Sequence, residues 1–417
     1  MNILMVTNTF APNVSGVARS VTMFTEAYRS RGHRVMVVAP EFDGALANEF
    51  DVVRIGALRN FAGSDYSVVI GPPLYLARAV DAFGPDIIHS HGPFLLGTTA
   101  ARLSRARRVP LIFTHHTLYE QYTHYVPGDS SLMKRLVLRL GTRYANASDA
   151  VFAPSRSILD LLERRGVSVP IYEVPTGVPL AAFANGDGAA LRARFGIPAA
   201  AVVVGYVGRL AEEKNLGFLS RALARFLAAT PHAYALVVGD GPSREPMAAV
   251  FGAAGVGRRV VFTGALRPPA LIDAYHAMNV FAFASLTETQ GLVLAEAMAA
   301  GVAVVAVDAA GAREIVRDGR NGRLLRQADE MAFHAALDWV IGRGEAGARS
   351  LSAAARAEAR HFSLDVVAGR ALAAYGEVIA MAGKRAPSRA RGPNLGWRFP
   401  LKEPGDERPS VRRRSGS

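Results

Sequence analysis

Two doubly wound α/β domains followed by a basic tail is the architecture this sequence predicts. Short apolar runs alternate with helical patterns in both halves of the chain, the signature of parallel βαβ units. A Gly-, Ala- and Asp-rich stretch, PLAAFANGDGAALRARFGIP, separates the halves and reads as a linker leading into a helix. At 417 residues, half of them hydrophobic, the chain is long enough for two or three cores.

The elements follow in order. NILMVT reads as the first strand, and Val17 to Arg31 as a helix ended by Gly32. HRVMVVAP, PDIIHSH, VPLIFTHH, DAVFAPS and PIYEVPT continue the first set of strands. AVVVGYVGRL, AYALVVGD, RVVFTGAL, NVFAFAS and VAVVAVD form the second set. Domain limits of 1–178 and 179–382 are expected, with a disordered tail over 383–417. Ligands of such sheets bind beyond the carboxyl ends of the strands, so the chemistry is expected in those loops.

Composition removes several classes. With no cysteine there is no disulfide, thiolate zinc site, iron–sulfur cluster or cysteine nucleophile. The opening apolar run is too short for a signal peptide and carries no preceding Lys or Arg. No run of about 18 apolar residues lacks a charge, so no spanning helix is expected. A cytoplasmic protein, or one attached to a membrane from the cytosolic side, is the expectation.

The formal charge of +13 is uneven. Ten basic and three acidic residues lie from Lys384 to Ser417, which places seven of the thirteen net charges in the tail. Rich in Pro, Gly, Ser and Arg, the tail cannot bury enough surface to offset chain entropy. Within the folded part, Leu132, Leu136 and Leu140 repeat every fourth residue, as do Arg135, Arg139 and Arg143. That spacing sets an apolar stripe beside an arginine stripe on one helix. The plain reading is an ordinary surface helix; the sharper one is a helix lying on an anionic membrane.

Three motifs carry chemistry. In SLTETQGLVLAEAMAAGVAVVA, Glu288 and Glu296 stand eight apart, with Gln290, Gly291, Leu292 and Val293 between them. A helix starting near Thr289 would aim free backbone N–H groups at a phosphate, with Gly291 leaving room for close approach. The alternative is a capped helix with two solvated glutamates. In GYVGRLAEEKN, Gly208, Arg209 and Lys214 follow a strand, and two cations at a sheet mouth can neutralise a diphosphate leaving group. In VVGDGP, Gly239 marks a strand-to-loop turn where backbone can approach a ligand. There is no Asp-x-Asp, no GxxxxGK[ST], and no GxGxxG in the first βα turn, so Mg²⁺-dependent, kinase-like and simple dehydrogenase readings lose support.

Together these motifs resemble retaining glycosyltransferases of family 4, which have the two-Rossmann-domain GT-B architecture, over residues 1 to about 382. The resemblance implies that Gly16 and Val17, in PNVSGVARSV, lie near the donor phosphates. It implies that Arg209 and Lys214 bind the diphosphate and Glu288 holds the donor sugar. Gly208, Gly239 and Gln290 would join the donor site, the amides of Gly291 to Val293 the distal phosphate, and Glu296 the ribose hydroxyls. A last helix packing back on the N-terminal domain is also implied.

The stretch THHTLYEQYTHYVP is similar to the His-Thr-x-Tyr-Glu-x-Tyr-x-His-Tyr signature of bacterial diacylglycerol glycosyltransferases. On that likeness His116, Thr117, Tyr119, Glu120, Tyr122 and Tyr125 would face the acceptor, and His91, in a His-x-Pro-Phe turn, the reacting sugar. Pro179 departs from the pattern, standing where relatives often carry Asp. The resemblance therefore implies hexose transfer from a nucleotide sugar, UDP-glucose by default, to a membrane lipid such as diacylglycerol. No metal or other cofactor and no nucleic acid are expected, and the enzyme would sit peripherally on the cytosolic face of the inner membrane. Phosphatidylinositol or a soluble glycan as acceptor, a basic nucleic-acid-binding protein and a non-catalytic sugar-nucleotide sensor are the other readings.

Overall fold

A computed structural model describes residues 1–13, 15–45, 49–58, 68–69, 74–121 and 130–384. Tyr122, Tyr125 and the basic tail from residue 385 lie outside the described residues. The N-terminal lobe contains β1 (Asn2–Val6), β2 (Arg34–Pro40), β3 (Val52–Ile55), β4 (Ala57–Leu58), β5 (Val68–Val69), β6 (Ile87–Ser90), β7 (Leu111–Thr114), β8 (Ala150–Ala153) and β9 (Ile171–Glu173). Seven of them form a parallel sheet in the order β3-β2-β1-β6-β7-β8-β9, while β4 and β5 pair as a separate antiparallel ribbon. The C-terminal lobe contains β10 (Val202–Val207), β11 (Ala233–Val238), β12 (Val260–Gly264), β13 (Val280–Phe283), β14 (Ala303–Val307) and β15 (Gly322–Leu325), in the order β12-β11-β10-β13-β14-β15. In both sheets the order reverses beside the first strand of the lobe, which opens a crevice at its carboxyl end.

Burial on both faces explains why the central strands are continuous apolar runs. Leu4, Val6, Ile88 and Phe113 pack on one side of the first sheet and Ile3, Met5, Ile87 and Ile112 on the other. β3 and β15 extend the expected strand set. Both are short edge strands whose runs, VVRI and GRLL, each carry an arginine and give little apolar signal.

The first helix spans Gly16–Arg29, two residues shorter at its end than the pattern predicts. Ser15 caps it, accepting from the Ala18 amide, and Ser30 closes it. The inter-lobe stretch folds into two short helices, Leu180–Phe183 and Gly188–Arg194, rather than remaining a linker throughout. Pro179 sits at the start of the first of these with no side-chain cap.

The last helix, Leu364–Lys384, returns to the N-terminal lobe. Val367, Ala368, Ala371, Ala374, Tyr375 and Val378 enter the core behind β1 and β6. Burial of each larger side chain contributes about 1.5–3 kcal/mol. This helix is long and apolar enough to cross a membrane by length and composition, with mean hydropathy 1.3 over 18 residues. Its buried face and its ring contacts below assign that apolarity to packing.

Candidate active site

The C-terminal side of the cleft, where the donor is expected, is made by loops at the carboxyl ends of β10, β11 and β13. Gly208 and Gly239 cross so closely that a Cβ on Gly239 would lie 1.9 Å from the Gly208 carbonyl oxygen. Both have positive φ, 156° and 142°, so glycine is required here by the chain crossing itself. Beyond them Arg209 pairs with Glu213, and Lys214 Nζ lies 2.6 Å from Glu288 Oε1. The Thr287 hydroxyl donates to the Glu213 carbonyl at 3.2 Å. Two sequence-distant motifs are thereby joined into one charged cluster.

The helix carrying Glu296 starts at Leu292, three residues later than the spacing suggests. Gly291, at φ 74°, is left-handed and ends the preceding turn. Gly311 seats that turn: its amide donates to the Glu288 carbonyl at 3.1 Å. A Cβ on Gly311 would lie 2.8 Å from both the Gln290 carbonyl carbon and the Gly291 nitrogen. The Gln290 side chain is buried and bound at both ends by the Thr176 backbone, accepting at 2.6 Å and donating at 2.8 Å. It braces the two lobes.

Glu296 is 1% exposed. Tyr275 donates to its Oε2 at 2.8 Å, and Arg19 from the first helix reaches Oε1 at 2.5 Å. Burial raises the carboxyl pKa, and the Arg19 charge and the Tyr275 hydrogen bond oppose that rise. Arg19 therefore brings the N-terminal lobe onto the carboxylate expected to hold the ribose. Gly16, one turn earlier, has nothing within 4 Å of a built Cβ, which leaves open space beside it. Val17 lies next to it at the start of the same helix.

The N-terminal side of the cleft, where the acceptor is expected, is built from rings. His91 follows β6, and its Nδ1 lies 2.9 Å from His116 Nε2, with the rings stacked. His91 Nε2 is buried and has no hydrogen-bond partner. Burial is the main cause of the depressed pKa at every histidine here: to about 3 for His89 and His116, about 4 for His115, and well below the usual range for His91. Burial disfavours the charged form of all four rings. The Thr289 hydroxyl donates to the His116 carbonyl at 2.9 Å, so the acceptor loop abuts the donor turn.

Thr117 is half-buried beside His116. Tyr119 meets Phe94 edge to face at 5.3 Å, and Glu120 pairs with Arg165 at 2.5 Å. Asn8 fixes the turn after His91 by donating to the Phe94 carbonyl and accepting from the Leu96 amide.

The Ser131–Ala147 helix exposes part of its leucine stripe. Its buried face is carried by Gly141, Tyr144 and Ala145, not by the leucine stripe. Leu132 and Leu136 are 70% and 47% exposed, and Arg135, Arg139 and Arg143 are exposed with them. Arg19, Tyr275, Gly311 and Thr176 are site residues that the motifs did not reveal. Each is placed by contact between distant segments and carries no local spacing signal.

Comparison with known proteins agrees with this architecture. The family model "Glycosyltransferase Family 4" matches residues 14–182, and "Glycosyl transferases group 1" matches residues 201–343. An alpha-monoglucosyldiacylglycerol synthase of Streptococcus pneumoniae is 29% identical over 73% of this chain and 71% of its own. GDP-mannose-dependent alpha-mannosyltransferases of Corynebacterium glutamicum and Mycolicibacterium smegmatis are 29% and 30% identical. They cover 94% and 93% of this chain, and 93% and 100% of their own lengths. In fold, the Anabaena HepE structure with UDP aligns with TM-score 0.72 at 20% identity, over 90% of this chain and all of the other. Sucrose-phosphate synthase of Thermosynechococcus elongatus aligns with the same score at 22% identity, over 91% of this chain and 99% of its own. The chain belongs to glycosyltransferase family 4, with the GT-B fold and close to the diacylglycerol glucosyltransferases, and is a nucleotide-sugar-dependent glycosyltransferase.

Proposed function

We propose that this enzyme transfers a hexose, glucose from UDP-glucose, to the hydroxyl of a membrane lipid such as 1,2-diacylglycerol, giving an α-glycosyl lipid. The observation that carries the lipid acceptor is the Ser131–Ala147 helix, where Leu132 and Leu136 reach solvent beside exposed Arg135 and Arg139. Apolar side chains flanked by cations suit an anionic bilayer surface, which attracts each basic residue by about 1 kcal/mol. The enzyme would work from the cytoplasm, peripherally bound to the inner membrane.

In this reading the bond between the sugar C1 and the β-phosphate oxygen breaks as the acceptor oxygen attacks the same face. The configuration is retained, and the acceptor proton passes to the departing phosphate oxygen. Arg209 and Lys214 stabilise the charge growing on that phosphate, Glu288 holds the sugar, and Glu296 takes the ribose. Gly16, Val17 and the amides from Gly291 to Val293 leave room for, or bind, the phosphates. His91 and His116 orient the reacting sugar and acceptor as neutral imidazoles. The work assigned to the protein is positioning and charge stabilisation, with no metal required.

A second donor, GDP-mannose, is favoured by the mannosyltransferases that align along almost the entire chain. A matrix of nucleotide sugars against diacylglycerol, phosphatidylinositol and a soluble glycan, read by mass spectrometry, decides between them. Glucosyl-diacylglycerol as the main product is expected; mannosyl product only, or transfer to the soluble glycan only, overturns the proposal. Replacing Arg135 and Arg139 with Glu should lower binding to anionic vesicles by at least tenfold at low salt, an effect that high salt removes. Equal binding of both proteins would exclude the helix as the membrane contact.

A further inference from the structure

Beneath the site lies a file of buried rings that the reaction as proposed leaves unused. His89, on β6, sits directly under His91, with ring centroids 4.1 Å apart. Its Nδ1 lies 2.5 Å from the Tyr375 hydroxyl and its Nε2 2.6 Å from the Thr114 hydroxyl. Tyr375 comes from the last helix, stacks on Phe152 at an interplanar angle of 10°, and accepts from the Tyr28 hydroxyl at 3.4 Å. Tyr28, His89 and Tyr375 are each fully buried.

One assignment of protons fits the distances along this file. A phenol has a single O–H. The nearest acceptor for the Tyr375 proton is His89 Nδ1 at 2.5 Å, with the Tyr28 hydroxyl farther away at 3.4 Å, so Nδ1 is read as the acceptor nitrogen whether or not Tyr28 donates. A neutral imidazole with an accepting Nδ1 carries its proton on Nε2, where it donates to Thr114. Both the tautomer and the plane of His89 are thus set from the last helix. His91 rests on that ring, while its Nδ1 engages His116 and its buried Nε2 has no partner.

We propose that Tyr375 is a positioning residue for sugar transfer: through the fixed Nε2–H tautomer of His89 it holds the His91 ring in its working orientation. The returning helix would then do more than close the N-terminal core, since it couples its own docking to the geometry of the reacting centre. The inference rests on the placement of His91 at the reacting sugar.

The test compares Tyr375→Phe with Tyr28→Phe in the full-length enzyme. Tyr375→Phe keeps the ring stack but removes the donor to Nδ1, whereas Tyr28→Phe leaves that donor in place. Expected for Tyr375→Phe is a fall in kcat of about tenfold, with donor and acceptor KM within about twofold of wild type. In ¹⁵N-histidine spectra His89 should lose its single Nε2–H tautomer. Tyr28→Phe should keep both the rate and the tautomer. Thr114→Val frees only Nε2 and leaves Tyr375 donating to Nδ1, so it should keep the Nε2–H tautomer; its loss there would show that Tyr375 does not set the tautomer, a reading that serves if Tyr375→Phe does not fold. Retention of the tautomer or of kcat in Tyr375→Phe, or an equal fall in Tyr28→Phe, overturns the proposal. The spectra need no substrate, so a wrong donor or acceptor would not be mistaken for a wrong role of Tyr375.

Discussion

Where the C-terminal lobe meets the cleft its groups are charged and paired: Lys214 with Glu288, Arg209 with Glu213, and Glu296 with the visiting Arg19. Where the N-terminal lobe meets it, the central groups are histidine rings held neutral by burial, joined to one another and to hydroxyls. The difference follows from what each side is proposed to handle. A diphosphate brings negative charge that exchangeable cations can follow as the leaving group departs. A hydroxyl-bearing sugar or acceptor asks for oriented donors and acceptors without net charge. Burying a histidine suppresses its proton, which gives the second kind of surface.

Loss of charge on the donor side should have the largest effect. Lys214→Ala should lower turnover by about 10²–10³, a few kcal/mol of barrier, because the β-phosphate loses its countercharge in the transition state. The loss should fall on kcat, measured with saturating donor. An unchanged turnover with UDP-glucose would remove Lys214 from the leaving-group site. Glu288, left without its partner at 2.6 Å, would report any purely structural contribution through a shift in thermal midpoint.

The neutral side should break with pH instead. His115, His89 and His116 have folded pKa values near 4, 3 and 3 against about 6.5 unfolded. Below pH 6.5 the unfolded chain binds protons that the folded one refuses. The stabilisation is therefore complete above 6.5 and is lost as pH falls towards 4 for His115 and towards 3 for His89 and His116. Each histidine contributes a slope of about 1.4 kcal/mol per pH unit near pH 5. Glu296 acts in the opposite sense, since its raised carboxyl pKa lets the folded state take a proton first. Urea midpoints should fall from pH 7 to pH 5, and His115→Gln should flatten that slope by one histidine. The same slope in the variant would show that His115 is not held neutral.

How much of this was legible in the sequence differs between the two sides. The donor motifs are local: Gly208 to Lys214 and Glu288 to Glu296 are each read within one turn between strand and helix, and the structure places them side by side. The network around them is not local. Arg19 reaches Glu296 across the cleft, Gln290 is tied to Thr176, and Tyr375 meets His89 from 286 residues away. No periodicity announces such pairs, because they follow from how the lobes and the last helix dock. The Ser131–Ala147 helix is a partial case. Spacing gave an amphipathic helix correctly but could not tell that the small residues Gly141 and Ala145, with Tyr144, form its buried face.

Two glycines give the finest test of the contrast between lobes. Gly311 supports the donor turn from behind, and a methyl group there would press on backbone at 2.8 Å. Gly311→Ala should cost about 1–3 kcal/mol of stability and displace Glu288 with the turn. Gly16 is the opposite case: a methyl group would meet no protein atom within 4 Å, and the position opens a helix where alanine is well tolerated. Gly16→Ala should leave the unfolding free energy within about 0.5 kcal/mol of wild type. It should nonetheless raise the donor KM several-fold, because the space it fills is the space assigned to the donor phosphates. If stability and donor KM are both unchanged, the N-terminal lobe does not approach the diphosphate at Gly16, and binding of the phosphates would be left to the charged groups of the C-terminal lobe.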